Sequence, residues 1–243
     1  MEKGRFVGYL VAGSPNREES ISMMQRYCEA GIDILEIGFP SSAPSMDGSV
    51  IRRAQERADA TICEDMAYWR ALRRAITVPI WLMGYGRDLV DTGICRRLAK
   101  ERLFDVLVIP DISAQARVRL RDELLPFGVE VIGFTTPEST PEELACCFEN
   151  MKVIYQQLYC GQTGISHNDR NYEGLLRRTR ESCDAQVYAG FGISTAQRAK
   201  ELLQSGFDGI IIGSAILAKA EESEQSALDF IREMHQAVLE VDE

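Results

Sequence analysis

A chain of 243 residues with a formal net charge of −10, whose basic residues fall in scattered pairs such as Arg73-Arg74, Arg96-Arg97 and Arg177-Arg178, offers no surface for nucleic acid. Its 45% hydrophobic and 26% charged residues supply an ordinary core without a disordered tail, and no apolar run approaches the roughly 18 residues of a membrane span. Seven cysteines, odd in number and without CxxC spacing, together with the lack of a secretory leader, imply a reducing cytoplasmic setting in which the thiols are packing groups.

From one end to the other, short apolar runs alternate with amphipathic stretches. Strands are expected over Phe6–Val11, Ile32–Ile37, Ile80–Met83, Val106–Ile109, Val129–Phe134, Val153–Leu158, Gln186–Ala189 and Gly209–Ile212. Helices are expected over Arg17–Ala30, Ser49–Ala58, Asp65–Ile76, Asp91–Lys100, Ala114–Leu125, Pro141–Asn150, Tyr172–Ser182 and Thr195–Ser205, with Glu224–Leu239 closing the chain. Ser14-Pro15 and Thr140-Pro141 read as helix starts, and Gly31, Gly128 and Gly206 as helix stops. Eight near-continuous apolar strands, each followed by a helical pattern, point to a parallel sheet buried on both faces. No linker or charge block divides residues 1–243, so one domain is expected, and no close internal repeat is visible. An open doubly wound sheet would carry GxGxxG after its first strand, where this chain has Ala12-Gly13-Ser14-Pro15. The reading is a single (β/α)8, or TIM, barrel.

Two glycine turns near the C-terminus set the expected ligand. Gly190-Phe191-Gly192-Ile193-Ser194 and Gly213-Ser214-Ala215-Ile216 each follow an apolar run and lead into a helical pattern. Glycine lets an anion approach the backbone N–H groups of such turns, and the turns after the last two strands of a barrel commonly hold a substrate phosphate. A phosphorylated small molecule is therefore the expected ligand.

Chemistry in such a barrel sits at the C-terminal ends of the strands. Glu36 lies within the apolar run Asp33-Ile34-Leu35-Glu36-Ile37-Gly38, where partial desolvation would poise it for proton transfer, unless it serves only as a structural glutamate. Asp47 follows in a loop beside Gly48 and reads either as a site acid or as a helix cap; Asp111, after Pro110, either contacts substrate or fixes its loop. No lysine falls at a strand C-terminus, which disfavours a Schiff-base aldolase, and the two histidines, His167 and His235, lie outside metal-ligand spacing. Acid–base chemistry without metal or cofactor is what these residues suggest.

The segment Leu35-Glu36-Ile37-Gly38-Phe39-Pro40 followed by Asp47-Gly48 resembles the signature of the tryptophan synthase α subunit family. Gly13-Ser14-Pro15, Ile109-Pro110-Asp111, Thr135-Thr136-Pro137-Glu138, Gly161 with Thr163-Gly164, and the two glycine turns follow in that family's order over essentially the whole chain. The resemblance implies retro-aldol cleavage of indole-3-glycerol phosphate, with Glu36 as proton shuttle and Asp47 as the partner of the indole N–H. It also implies that Tyr155 orients Glu36, that Gly164, Gly192, Gly213 and Ser214 cradle the phosphate, and that Tyr9, Met83 and Tyr85 line the indole pocket. The chain departs from the pattern in lacking the usual helix before the first strand and in carrying Ala43, Arg87 and Tyr159 where the family has aspartate, asparagine and arginine. Ala43 and Arg87 fall at positions facing a tryptophan synthase β subunit, so that partner is implied with altered contact residues. Three functions are compatible with this pattern: an indole-glycerol-phosphate lyase, a related lyase or isomerase of another phosphorylated polyol, and a non-catalytic phosphometabolite-binding homologue.

Overall fold

The computed structural model describes residues 4–159 and 172–241. Among these residues nine strands, all paired in parallel, run β1 (Arg5–Val11), β2 (Ile34–Gly38), β3 (Ile80–Met83), β4 (Val106–Val108), β5 (Glu130–Val131), β6 (Gly133–Thr135), β7 (Val153–Gln157), β8 (Gln186–Gly190) and β9 (Gly209–Ile212). Their order is β5-β4-β3-β2-β1-β9-β8-β7-β6. The ends of that order, β5 and β6, are two halves of one apolar run, joined through Ile132, whose N–H continues the ladder to Leu107 O at 3.0 Å. One half pairs with β4 and the other with β7, which brings the sheet round into a nearly closed barrel. The eight expected strands are thus nine, because the fifth breaks before Gly133. A Cβ on Gly133 would come within 2.4 Å of Cys147 Sγ, so the glycine lets the following helix pack directly on the strand.

Among the described residues ten α-helices cover the outside: α1 (Arg17–Glu29), α2 (Ser49–Arg57), α3 (Met66–Ala75), α4 (Ile94–Lys100), α5 (Ala114–Leu124), α6 (Pro141–Asn150), α7 (Tyr172–Ser182), α8 (Ala196–Gln204), α9 (Ser214–Glu222) and α10 (Glu224–Leu239). Their starts follow local chemistry. Asn16, Asp65, Ser113, Thr195 and Ser223 each accept a first-turn N–H, and Thr140 with Glu143 forms a reciprocal capping box at α6. The helical pattern after Gly213 proves to be a separate helix, α9, parted from α10 by the cap at Ser223. Residues 86–90, expected to be loop, form a single π-helical turn. No helix among the described residues is long and apolar enough to cross a membrane.

The barrel interior is filled by large side chains. Trp81 on β3 and Tyr188 on β8, strands that are not neighbours in the sheet, meet edge to face at 4.9 Å. At the N-terminal ends of the strands, an aspartate clamp recurs that the sequence pattern did not reveal. Asp33, Asp105 and Asp208, each just before a strand, accept the N–H of Phe6, Ile80 and Val187 at 2.8, 2.7 and 2.6 Å. Their own N–H groups bond the carbonyls of those same residues at 2.9, 2.8 and 2.9 Å. The clamps tie β1 to β2, β3 to β4 and β8 to β9, so the repeat is one of hydrogen bonding rather than of extended sequence. Asp33→Ala is expected to cost about 1–3 kcal/mol of stability by leaving the Phe6 N–H unpaired, while leaving turnover unchanged; urea unfolding beside an activity assay checks both.

Candidate active site

At the opposite, C-terminal end of the strands, a cleft opens between the rim loops. Tyr9 from β1, Glu36 from β2, Met83 from β3, Phe134 from β6 and Tyr155 from β7 face it, with Asp47 and Met46 from the loop before α2. The far wall is Phe191, Gly192 and Ile193 after β8, and Gly213 with Ser214 at the start of α9. Parallel pairing sets Tyr9 and Glu36 side by side, since they are register partners across β1 and β2. Alternation along an otherwise apolar strand then sends the one carboxylate of β2 into the barrel mouth.

The two acids are both buried, Glu36 with 3% and Asp47 with 2% of its surface exposed, and Glu36 Oε1 and Asp47 Oδ2 have no hydrogen-bond partner among the described residues. An unpaired carboxylate oxygen in such a place is costly unless a ligand meets it. Burial, and then the nearby Asp47 charge, push Glu36 up to about 8. Burial raises Asp47 to about 6, held back by a hydrogen bond from the Tyr85 hydroxyl and by the Arg52 charge. The pair therefore titrates in order: at neutral pH Asp47 carries the charge and Glu36 the proton.

Tyr85 does not line the cleft, contrary to the sequence-based expectation. It is buried behind Asp47, where its hydroxyl bonds that carboxylate and accepts the Met46 N–H at 3.3 Å. Asp111 likewise stands back: it is exposed and accepts the Gly86 N–H at 2.9 Å, fixing the loop after β3. Tyr155 lies within an aromatic group, stacked on Phe134 at 5.1 Å and edge-on to Phe191 at 6.2 Å. Room for it comes from Gly190, where a Cβ would fall 2.2 Å from the tyrosine ring. Tyr9, Met83, Gly192, Gly213 and Ser214 all border the cleft, whereas Gly164 lies outside the described residues.

Sequence periodicity passed over Met46, Ile51, Val108, Pro110, Phe134, Phe191, Ile193 and Ile211 as lining residues, and these complete the described lining. Only Phe191 carried a signal, by standing between two glycines. It adopts a left-handed backbone, φ 78°, beside Gly192 at φ 71°. Such a conformation costs a bulky residue on the order of 1–3 kcal/mol and persists where the surroundings enforce it. No lysine or arginine is among the described lining residues. On the far wall Gly192 carries no side chain, and Gly213 with Ser214 begins α9, whose N-terminus is the positive end of the helix dipole. Gly213 also packs on Tyr9, since a Cβ there would lie 3.1 Å from that side chain.

Comparison with known proteins gives one consistent picture. The family model described as "Tryptophan synthase alpha chain" matches residues 1–242. The tryptophan synthase alpha chain of Phenylobacterium zucineum is 32% identical over 229 residues, spanning 91% of this chain and 82% of the relative. That of Methanosarcina mazei is 31% identical over 227 residues, spanning 91% and 83%. Among solved structures, tryptophan synthase from Mycobacterium tuberculosis superposes with a TM-score of 0.85 at 27% identity, over 97% of this chain and 93% of the matched one.

Proposed function

The chain belongs to the tryptophan synthase α chain family, and from that premise we propose that it cleaves indole-3-glycerol phosphate to indole and glyceraldehyde 3-phosphate by retro-aldol acid–base chemistry. The observation that carries this reading is the pair of buried acids, Glu36 and Asp47, each with an unpartnered oxygen and separated in their titration. One acid must hold a proton and the other a charge, and burial has arranged that division at neutral pH.

In the proposed reaction, protonated Glu36 gives its proton to C3 of the indole ring, and ionised Asp47 accepts the ring N–H and offsets the positive charge that develops there. The carbon–carbon bond then breaks with its electron pair entering the ring. The glycerol hydroxyl on the departing carbon becomes the aldehyde oxygen, and its proton returns to Glu36. Protons balance, and no cofactor is required. Tyr85 keeps Asp47 ionised from behind, and Tyr155 holds the aromatic side of the cleft beside Glu36. The phosphate is assigned to Gly192, Gly213 and Ser214, across the mouth from the acids.

The reading extends to partners. Ala43 and Arg87 are both exposed, at the positions that the resemblance gives to contact with a β subunit. We therefore assign the lyase activity to the chain acting alone. Purified protein incubated with indole-3-glycerol phosphate is expected to release indole with no second protein present, measured by colorimetric indole detection. No indole under any condition, with turnover of a different phosphorylated polyol, would move the function to that other lyase or isomerase.

A further inference from the structure

Two loops of the rim are bonded to each other, and one of them carries Asp47. The loop after β2 spans residues 39–48, with Ser42, Ala43 and Ser45 exposed on its crest and Asp47 buried near its far end. Its near end is fixed at Ser41. The Ser41 N–H donates to Gln55 Oε1 on α2 at 3.0 Å, and its Oγ donates to Asp88 Oδ2 at 2.6 Å while accepting the Ala43 N–H at 3.2 Å. One serine thus closes a local turn and sends its hydroxyl proton to a carboxylate on the next loop, at the length of a strong charge-assisted bond. The far end is fixed one residue before the acid. There the Met46 N–H donates to the Tyr85 hydroxyl at 3.3 Å, and the Asp47 N–H closes back on Pro44 O at 3.3 Å.

The two outer anchors come from one short stretch: Tyr85 leads into the π-helical turn after β3, and Asp88 stands within it. That turn is fixed by its own bonds. The Asp88 N–H returns to Tyr85 O at 3.0 Å, the Asp91 N–H to Gly86 O at 2.9 Å, and Thr92 Oγ1 donates to Asp88 O at 2.7 Å. Asp111, from the loop after β4, holds the Gly86 N–H. The second oxygen of Asp88 faces Arg87 Nε at 3.6 Å, which offsets its charge. The turn therefore gives the acid-bearing loop a fixed point at each end. Asp88 is not among the described lining residues of the cleft, so it acts on the site only through that loop.

We propose that Asp88 is a positioning residue for the reaction: by holding Ser41 it completes a brace, built from the turn after β3, that keeps the Asp47 loop set against the cleft. Every anchor of the brace belongs to this chain, so Asp47 is placed without a second protein. This deepens the acid-pair reading above and rests on it.

Two measurements distinguish the brace from a contact that merely stabilises. Amide hydrogen exchange of the ligand-free protein, resolved by NMR, reads the loop without substrate. Asp88→Ala is expected to speed exchange at Ala43 and Met46 by about tenfold, the scale of one lost hydrogen bond to a charged group, while the amides of β1 and β2 stay unchanged. Indole release by the same variant is expected to fall about tenfold in kcat with KM nearly unchanged, because Asp47 meets a charge that develops only in the transition state. Asp88→Asn keeps an acceptor for the Ser41 hydroxyl and should recover most of both losses. Ser41→Ala breaks the same bond from the other side and should give the same changes, so it replaces Asp88→Ala if that variant does not fold. Made together, the two substitutions should cost little more than either alone, since they remove one shared bond. Unaltered exchange at Ala43 and Met46, a full kcat in Asp88→Ala, or additive losses in the double variant would each overturn the proposal. A wild type that released no indole would remove the proposed reaction, and the exchange measurement would then decide the brace by itself.

Discussion

Glu36→Gln is expected to lower indole release by at least ~10²-fold with little change in KM, the usual scale for losing a general acid–base group. Glutamine keeps the shape and burial of the side chain, so the substrate still fits; it cannot deliver a proton to the ring or take one from the glycerol hydroxyl. The wild-type pH profile carries the same assignment. Activity requires Asp47 ionised and Glu36 protonated, which places the acid limb of kcat/KM near 6 and the alkaline limb near 8. Because the two carboxyls interact, these limbs belong to the pair. Steady-state kinetics from pH 5 to 9 measures both. A flat profile, or a Glu36→Gln enzyme within tenfold of wild type, would remove Glu36 from the chemistry.

The same substitution is expected to stabilise the fold at alkaline pH. Glu36 is held at about 8 in the folded chain against an ordinary value of 4.5. Below 4.5 both folded and unfolded forms carry the proton, and the group has no effect on the pH dependence of stability. Between the two values the unfolded chain has released its proton while the folded one retains it, so unfolding is increasingly favoured as pH rises; above about 8 the full cost is present. Removing the ionisable group should therefore raise stability by on the order of 3 kcal/mol at pH 8–9, at about 1.4 kcal/mol per pH unit less the cost of burying an amide. The advantage should dwindle toward pH 5. Denaturant unfolding of both proteins at pH 5, 7 and 9 tests it, and an advantage that does not grow with pH would show that Glu36 is not buried as described. Loss of activity coupled to a gain in stability is the signature expected of a site whose acid is held in a costly environment for function.

The apolar runs, the helix caps and the two glycine turns are local features, and the elements they imply agree with the structure to within a residue or two at most boundaries. Glu36 was legible because a lone carboxylate in a five-residue buried strand has only the barrel mouth to face. The division of the fifth strand was not, since Gly133 looks like any strand glycine until Cys147 is packed against it. Tyr85 was placed in the pocket on its position at a strand end alone; whether such a ring faces the ligand or stands behind Asp47 depends on a loop nearly forty residues earlier in the chain.

The sequence by itself determined the alternation of strand and helix, the parallel barrel, the family, and the presence of two acids and two anion-type turns on one rim. Periodicity and turn chemistry act between residues a few positions apart, so they can be read along the chain. Only the tertiary structure decided which acid is charged at neutral pH, that Tyr85 stands behind Asp47, and that three aspartates clamp the far end of the barrel. Desolvation and the direction of a hydrogen bond depend on groups brought together from distant segments, and a linear sequence does not record those distances.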